Sequence, residues 1–138
     1  MNFDELWEAV IKALRSKADW LGVATESIID CGVDLSSEDS RPPFIHVVCL
    51  PSGGEYMANG AMLRGRAEIT LFCTADPQRS ASSGLRTTIS ILAKSINILT
   101  ALPDVLPPTE EPQPISNTSD ITCISLTFPA YYTPESEE

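Results

Sequence analysis

Apolar residues recur along this chain with two different periods, and the switches between them lay out the elements. Phe3, Leu6, Trp7, Val10, Ile11 and Leu14 fall at steps of three and four, which predicts one helix over Asn2–Ser16. Asn2 is placed to cap its first turn, with Glu5 three residues later as in a capping box. Asp4, Glu5 and Glu8 lie toward the positive helix end and Lys12, Arg15 and Lys17 toward the negative one, which suits the macrodipole. Glu26–Val33 reads as a short strand and Leu35–Pro43 as a polar loop broken by Pro42-Pro43. Phe44–Leu50 is apolar on both faces, the pattern of a strand covered on two sides, and Pro51-Ser52-Gly53-Gly54 is expected to end it. Glu55–Gly60 reads as a hairpin tip, with Asn59-Gly60 as the turn pair.

Leu63–Thr74 has the clearest period of two. Leu63, Gly65, Ala67, Ile69, Leu71 and Cys73 alternate with Arg64, Arg66, Glu68, Thr70, Phe72 and Thr74, so one face is expected to be buried. A strand this long is expected to carry part of the hairpin beyond the body. The period then changes to that of a helix over Ser82–Leu102, with Ser82 or Ser83 as N-cap and Pro103 as its stop. Leu85, Ile89, Leu92, Ile96 and Leu99 are predicted to face the sheet. Ile91, Ile98 and Leu102 widen the stripe and are expected to meet the N-terminal helix or a neighbouring subunit. Pro103–Ser119, with five prolines, should be extended and irregular. Asp120–Tyr132 reads as a last strand with Ile124, Leu126 and Phe128 on one face. Ile121 and Cys123 hold the opposite phase, as at a bulge or a doubly buried strand, and Pro129 should close the ladder or mark an edge. The predicted fold is α+β: a mainly antiparallel sheet of about four strands with two principal helices packed on one face. It forms a single domain over 1–132, followed by an acidic tail, 133–138.

Composition allows this without staples. The chain has 138 residues and is 43% hydrophobic, enough for a domain-sized core without disulfide or metal. Cys31, Cys49, Cys73 and Cys123 are scattered without a Cys-x-x-Cys pair, and His46 is the only histidine, which excludes the familiar zinc spacings. No apolar run reaches the roughly 20 residues of a membrane span, and the N-terminus lacks the pattern of a signal peptide, so the expected setting is a cytoplasm or a particle assembled there. The net charge of −10 argues against holding DNA by phosphate neutralisation. Its distribution is uneven. Pro77–Pro103 contains Arg79, Arg86 and Lys94 and no acid, whereas Asp104–Glu138 contains seven acids and no base. Such a division permits basic and acidic surfaces to meet across copies of the chain.

Candidate chemistry is sparse. Cys49 lies three positions from His46 and therefore on the other face of the same strand, which argues against a nucleophile–base pair between them. Glu38-Asp39 and Glu110-Glu111 sit in polar loops, and Gly53-Gly54 lacks the Gly-Lys-Ser/Thr of a phosphate loop. Trp7 and Trp20 read as core residues. No catalytic residue, metal site or cofactor is expected. The residues singled out are instead those of a contact surface: Glu55, Tyr56 and Met57 at the hairpin tip, Arg64 and Arg66 on the polar strand face, and Ile91 and Ile98 on the long helix.

The order of elements resembles the tail terminator (tail-completion) proteins of tailed bacteriophages and prophages. The resemblance is carried by Leu6-Trp7-Glu8-Ala9-Val10-Ile11, Pro43-Phe44-Ile45-His46-Val47-Val48, Leu63–Phe72 and Thr122-Cys123-Ile124-Ser125-Leu126-Thr127-Phe128. It covers nearly the whole chain as a pattern of elements rather than a motif. It implies a small α+β protein that forms a ring, commonly a hexamer, at the head-proximal end of the tail tube. Such a ring stops tube polymerisation and offers a surface to the head–tail connector. It also implies no catalytic residues, no membrane, a place in the virion tail or neck after assembly in the host cytoplasm, and a lumen whose acidity does not hold passing DNA. The alternatives are another head–tail joining or tail-tube component, a small-molecule-binding bacterial α+β domain, and an enzyme built on His46 and a cysteine.

Overall fold

Two helical stripes and one long alternating hairpin produce a two-layer α+β structure. The computed structural model describes residues 1–30, 44–74, 81–115 and 123–134. Helix α1 spans Phe3–Ser16 and begins with a complete capping box: Glu5 N–H donates to Asn2 Oδ1 (2.8 Å) and Asn2 N–H to Glu5 Oε1 (3.0 Å). A short helix α2, Ala18–Leu21, and a 3₁₀ turn, Thr25–Ser27, lead into β1, Ile28–Asp30. Arg15 ties this passage to α1 by donating from Nε and Nη2 to the carbonyl of Ile28 (3.2 and 2.8 Å).

Strands β2 (Phe44–Tyr56), β3 (Met62–Thr74) and β5 (Cys123–Tyr132) form the sheet, with short β4 (Gln113–Ile115) at one edge and β1 at the other. The order is β1-β2-β3-β5-β4, antiparallel throughout except for the parallel β1–β2 pair. Helix-facing residues line up in rows across the strands: Ile28–Ile45–Cys73–Ile124, then Val47–Leu71–Leu126, then Cys49–Ile69–Phe128. Leu6, Val10 and Leu14 of α1 and Leu92 and Leu99 of helix α3 (Ala81–Leu99) bury themselves over these rows. Among the described residues both long helices belong to this one face.

The sheet differs from expectation in three places. Strand β2 does not end at Pro51 but passes through an irregularity between Pro51 and Gly53 and pairs on to Tyr56. A bulge lets the strand absorb Pro-Ser-Gly-Gly that would otherwise break it. The proline-rich segment is not irregular throughout. Val105 is buried and bridges Ala130, Leu106 N–H donates to Pro129 O (2.9 Å), and Tyr131 N–H donates to Asp104 O (3.0 Å). This strap bears on Pro129, which does not close the ladder, since β5 pairs on to Tyr132, but does mark an edge, where β5 has β3 on one side and only the strap on the other. The carbonyl of Pro129 faces the strap, so its missing N–H would also have faced that way, and the β3 ladder loses nothing. No register shift interrupts β5 at Cys123; Ile121, the other residue of the opposite phase, and the loop 35–43 lie outside the described residues.

Helix α3 is turned relative to its most apolar stripe. Its buried positions are Gly84, Thr88, Ile91, Leu92, Ser95, Ile98 and Leu99, whereas Leu85 and Ile89, expected against the sheet, are 38% and 42% exposed. At roughly 100° per residue the buried face lies about 80° round from the predicted one. The small polar residues tolerate burial because their hydroxyls bond back along the helix: Thr88 Oγ1 donates to Gly84 O and Ser95 Oγ to Ile91 O, both at 2.9 Å. Ile91 therefore belongs to this chain's own core, which removes it from the expected subunit contact, while Ile98 is largely buried but lines a groove beside α1. Ser82 and Ser83 fall inside the helix rather than at its cap, since it starts at Ala81.

Candidate interaction surface

The sheet's body ends where side chains on the helix face shrink. Along β3 the inward residues run Cys73, Leu71, Ile69, Ala67 and Gly65, and Gly65 pairs with the last residue of β5, Tyr132. The Tyr132 ring lies across Gly65 so closely that a Cβ there would stand 2.1 Å from its Cζ. Phe3 of α1 packs edge-on against both Tyr132 (5.3 Å) and Trp7 (5.9 Å). This aromatic group closes the core. Among the described residues the buried indole Nε1 of Trp7 has no hydrogen-bond partner.

Beyond it β2 and β3 continue as a two-stranded arm, Glu55↔Arg64 and, after a register shift at Leu63, Tyr56↔Met62, with no third strand among the described residues. The tip is held by Met57 N–H to Ala61 O (2.7 Å), Gly60 N–H to Met57 O (2.9 Å) and Ala61 N–H to Asn59 Oδ1 (3.1 Å). Gly60 takes φ +87°, the left-handed conformation for which the Asn-Gly pair was singled out. Arg64 clamps the base of the arm. It donates from Nε and Nη2 to the two oxygens of Glu55 (3.0 and 2.9 Å), and its guanidinium carbon sits 3.9 Å from the Tyr131 ring centroid. The hydrogen bond from Arg64 lowers the Glu55 carboxyl below its ordinary range, and the same bond raises Arg64. These two charges, expected to meet a neighbour, are thus already paired within the chain. Arg66 is exposed beside them and lines a cleft of about 380 Å³ with Ser52, Glu68, Glu110, Thr127 and Tyr131.

Among the described residues the arm's largest apolar side chains find little cover. Tyr56 is 62% exposed, Leu63 58% and Met57 47%, and Leu50 at the base is similarly open. A second exposed aromatic lies on the helix layer. Trp20, expected in the core, faces outward beside a groove of about 290 Å³ between α1, α2 and the end of α3. Its neighbour Leu21 takes the buried position of that turn instead. The sequence signal for this was present in the short Asp19-Trp20-Leu21-Gly22 turn, where only one of two adjacent large residues can point inward.

Acid–base and thiol chemistry find little purchase on the body. His46 is buried and stacked on Phe44 (4.4 Å between centroids), and burial lowers its pKa, so it is neutral at pH 7. Cys49 projects to the helix face, as its spacing from His46 predicted. Burial pushes both the Cys49 and Cys73 thiols up to about 12, with Asp30 adding to the effect at Cys49. Neither supplies an appreciable thiolate at neutral pH. Cys31 lies outside the described residues. Among the described residues no group of three or more His, Cys, Asp or Glu side chains converges as a metal site would require, and no helix is long and apolar enough to cross a membrane. No protein-family model matches the chain, and no curated protein matches it.

Proposed function

We propose that this chain is a structural protein of a phage or prophage tail, forming a homo-oligomeric ring that terminates the tail tube and joins it to the head connector. The observation that carries the reading is the arm, a two-stranded projection that leaves Tyr56, Met57 and Leu63 largely exposed. A monomer has little use for such a surface, whereas a ring subunit can lay it on the next copy. The clamp formed by Glu55, Arg64 and Tyr131 supports the same role, because an arm fixed at its base loses less freedom on docking. In this reading the chain needs no catalytic group, metal or cofactor. Its mechanism is capping: one ring face binds the last tube ring, and the other withholds the surface a further ring would need.

Sedimentation velocity across micromolar concentrations tests the first half of the reading. A ring-sized species is expected, along with its loss when Tyr56 and Met57 are both replaced by Ser. Adding purified tail tubes tests the second half: the protein should appear by electron microscopy as a cap at one tube end. Incorporation along the whole tube would make it a tube component instead.

A further inference from the structure

The groove beside Trp20 is apolar at its floor and basic at its rim. Ile98, Ala101 and Leu102 from the end of α3 face Ala13 and Trp20, Lys17 stands exposed at the margin, and no acid lines it. Lys94 holds the indole in place. Its Nζ donates to the Trp20 carbonyl (3.0 Å) and lies 5.6 Å from the ring centroid, within cation–π range. Trp20 is therefore presented at the surface in a fixed position while 47% of it remains exposed.

The strap along β5 has the complementary character. Leu106 is 39% exposed although its backbone is fixed to Pro129, and the restricted Pro107-Pro108 pair carries the strap on to a bend at Thr109-Glu110. After Thr109 come Glu110, exposed at the cleft it shares with Arg66, and Glu111, exposed beyond it, and no base occurs anywhere from Asp104 onward. An apolar anchor followed by paired carboxylates matches an apolar floor with a lysine rim. We infer that the Trp20 groove receives the Leu106–Glu111 strap of a second copy of this chain, Leu106 against the indole and the two glutamates toward Lys17. A strap tied to its own β5 edge offers Leu106 outward, and the ordering entropy of a proline-rich segment has already been met on folding. Donor and acceptor are different surfaces, so the contact is head-to-tail, the kind that closes into a ring. The inference rests on the ring reading and names one of its interfaces.

The test is self-association of the full chain in low salt, followed by sedimentation velocity. Trp20→Ala should weaken association by about tenfold or more, as loss of an aromatic anchor does. Lys17→Glu, and separately the pair Glu110→Lys and Glu111→Lys, should each weaken it several-fold, and all three charge reversals together should restore it. Circular dichroism confirms that each variant remains folded. Association that persists unchanged through all these variants overturns the contact and leaves the ring reading standing. A monomer at every concentration and salt overturns both.

Discussion

Leu63 and Leu71 are the same residue on the same strand, yet one is 58% exposed and the other fully buried. Nothing about either side chain separates them. What separates them is the position of Gly65, where the Tyr132 ring and Phe3 close the core. Inside that boundary a leucine stabilises the fold. Outside it the same leucine, 58% exposed, contributes little to the monomer and is available to a partner. One β-ladder thus serves two ends, and the residue types alone do not say where one gives way to the other.

The largest expected effect lies inside the boundary. Leu71→Ala leaves a cavity in the central row between Val47 and Leu126 and should cost about 2–5 kcal/mol, measured by urea denaturation of dilute protein. A cost below about 1 kcal/mol would mean that the helices do not pack on this row. Next in size is the boundary itself. Gly65→Ala places a methyl group inside the Tyr132 ring, and displacing that ring should cost about 1–3 kcal/mol. Combined with Tyr132→Ala, the glycine substitution should add little, because the atom it clashes with is gone; full additivity would refute the close approach.

Much of the comparison was legible in the chain, and its failures share a cause. The alternation over Leu63–Thr74, the capped first helix and the Asn-Gly turn are local patterns, and each is found where it was read. The arm's exposed Tyr56 and Met57 were legible too, because large apolar residues beside a turn pair have no local partner. The orientation of α3 was not. Its stripe of Leu and Ile is broad, and the buried face is chosen by what α1 and the sheet leave room for, which favours Gly84, Thr88 and Ser95 over Leu85 and Ile89. The strap was hidden for a similar reason, since its pairing with Pro129 joins segments distant in sequence. The Glu55–Arg64 pair required the register of the arm before it could be seen as an internal clamp.

A smaller effect separates body from arm along β2, where His46 and Glu55 titrate in different windows. Burial lowers the folded pKa of His46 from its ordinary 6.5, so below that pH the unfolded chain binds more protons than the folded one. Stability should therefore be complete above about pH 6.5 and fall as the pH drops toward the folded value. His46→Gln should flatten that part of the curve. Glu55 is lowered from an ordinary 4.5, chiefly by its hydrogen bond from Arg64, so its contribution is present above that pH and lost only in stronger acid. The slope of melting temperature against pH between 5 and 7 should thus change with His46→Gln, whereas Glu55→Gln shifts that stretch of the curve without changing its slope. A change of slope with Glu55→Gln in that range would refute the lowered titration of the clamp.

The smallest effect on folding is expected at the other leucine. Leu63→Ala removes a side chain already in water, so the urea midpoint of the dilute monomer should move by no more than about 0.5 kcal/mol in free energy. At concentrations where the protein associates, the same substitution should weaken assembly, since the apolar area lost there is area the partner would have covered. The two leucines then give opposite signatures: Leu71→Ala lowers stability at every concentration, whereas Leu63→Ala lowers only the concentration-dependent part. If Leu63→Ala destabilised the dilute monomer as much as Leu71→Ala, the arm would be part of the core, and the boundary at Gly65 would have no functional meaning.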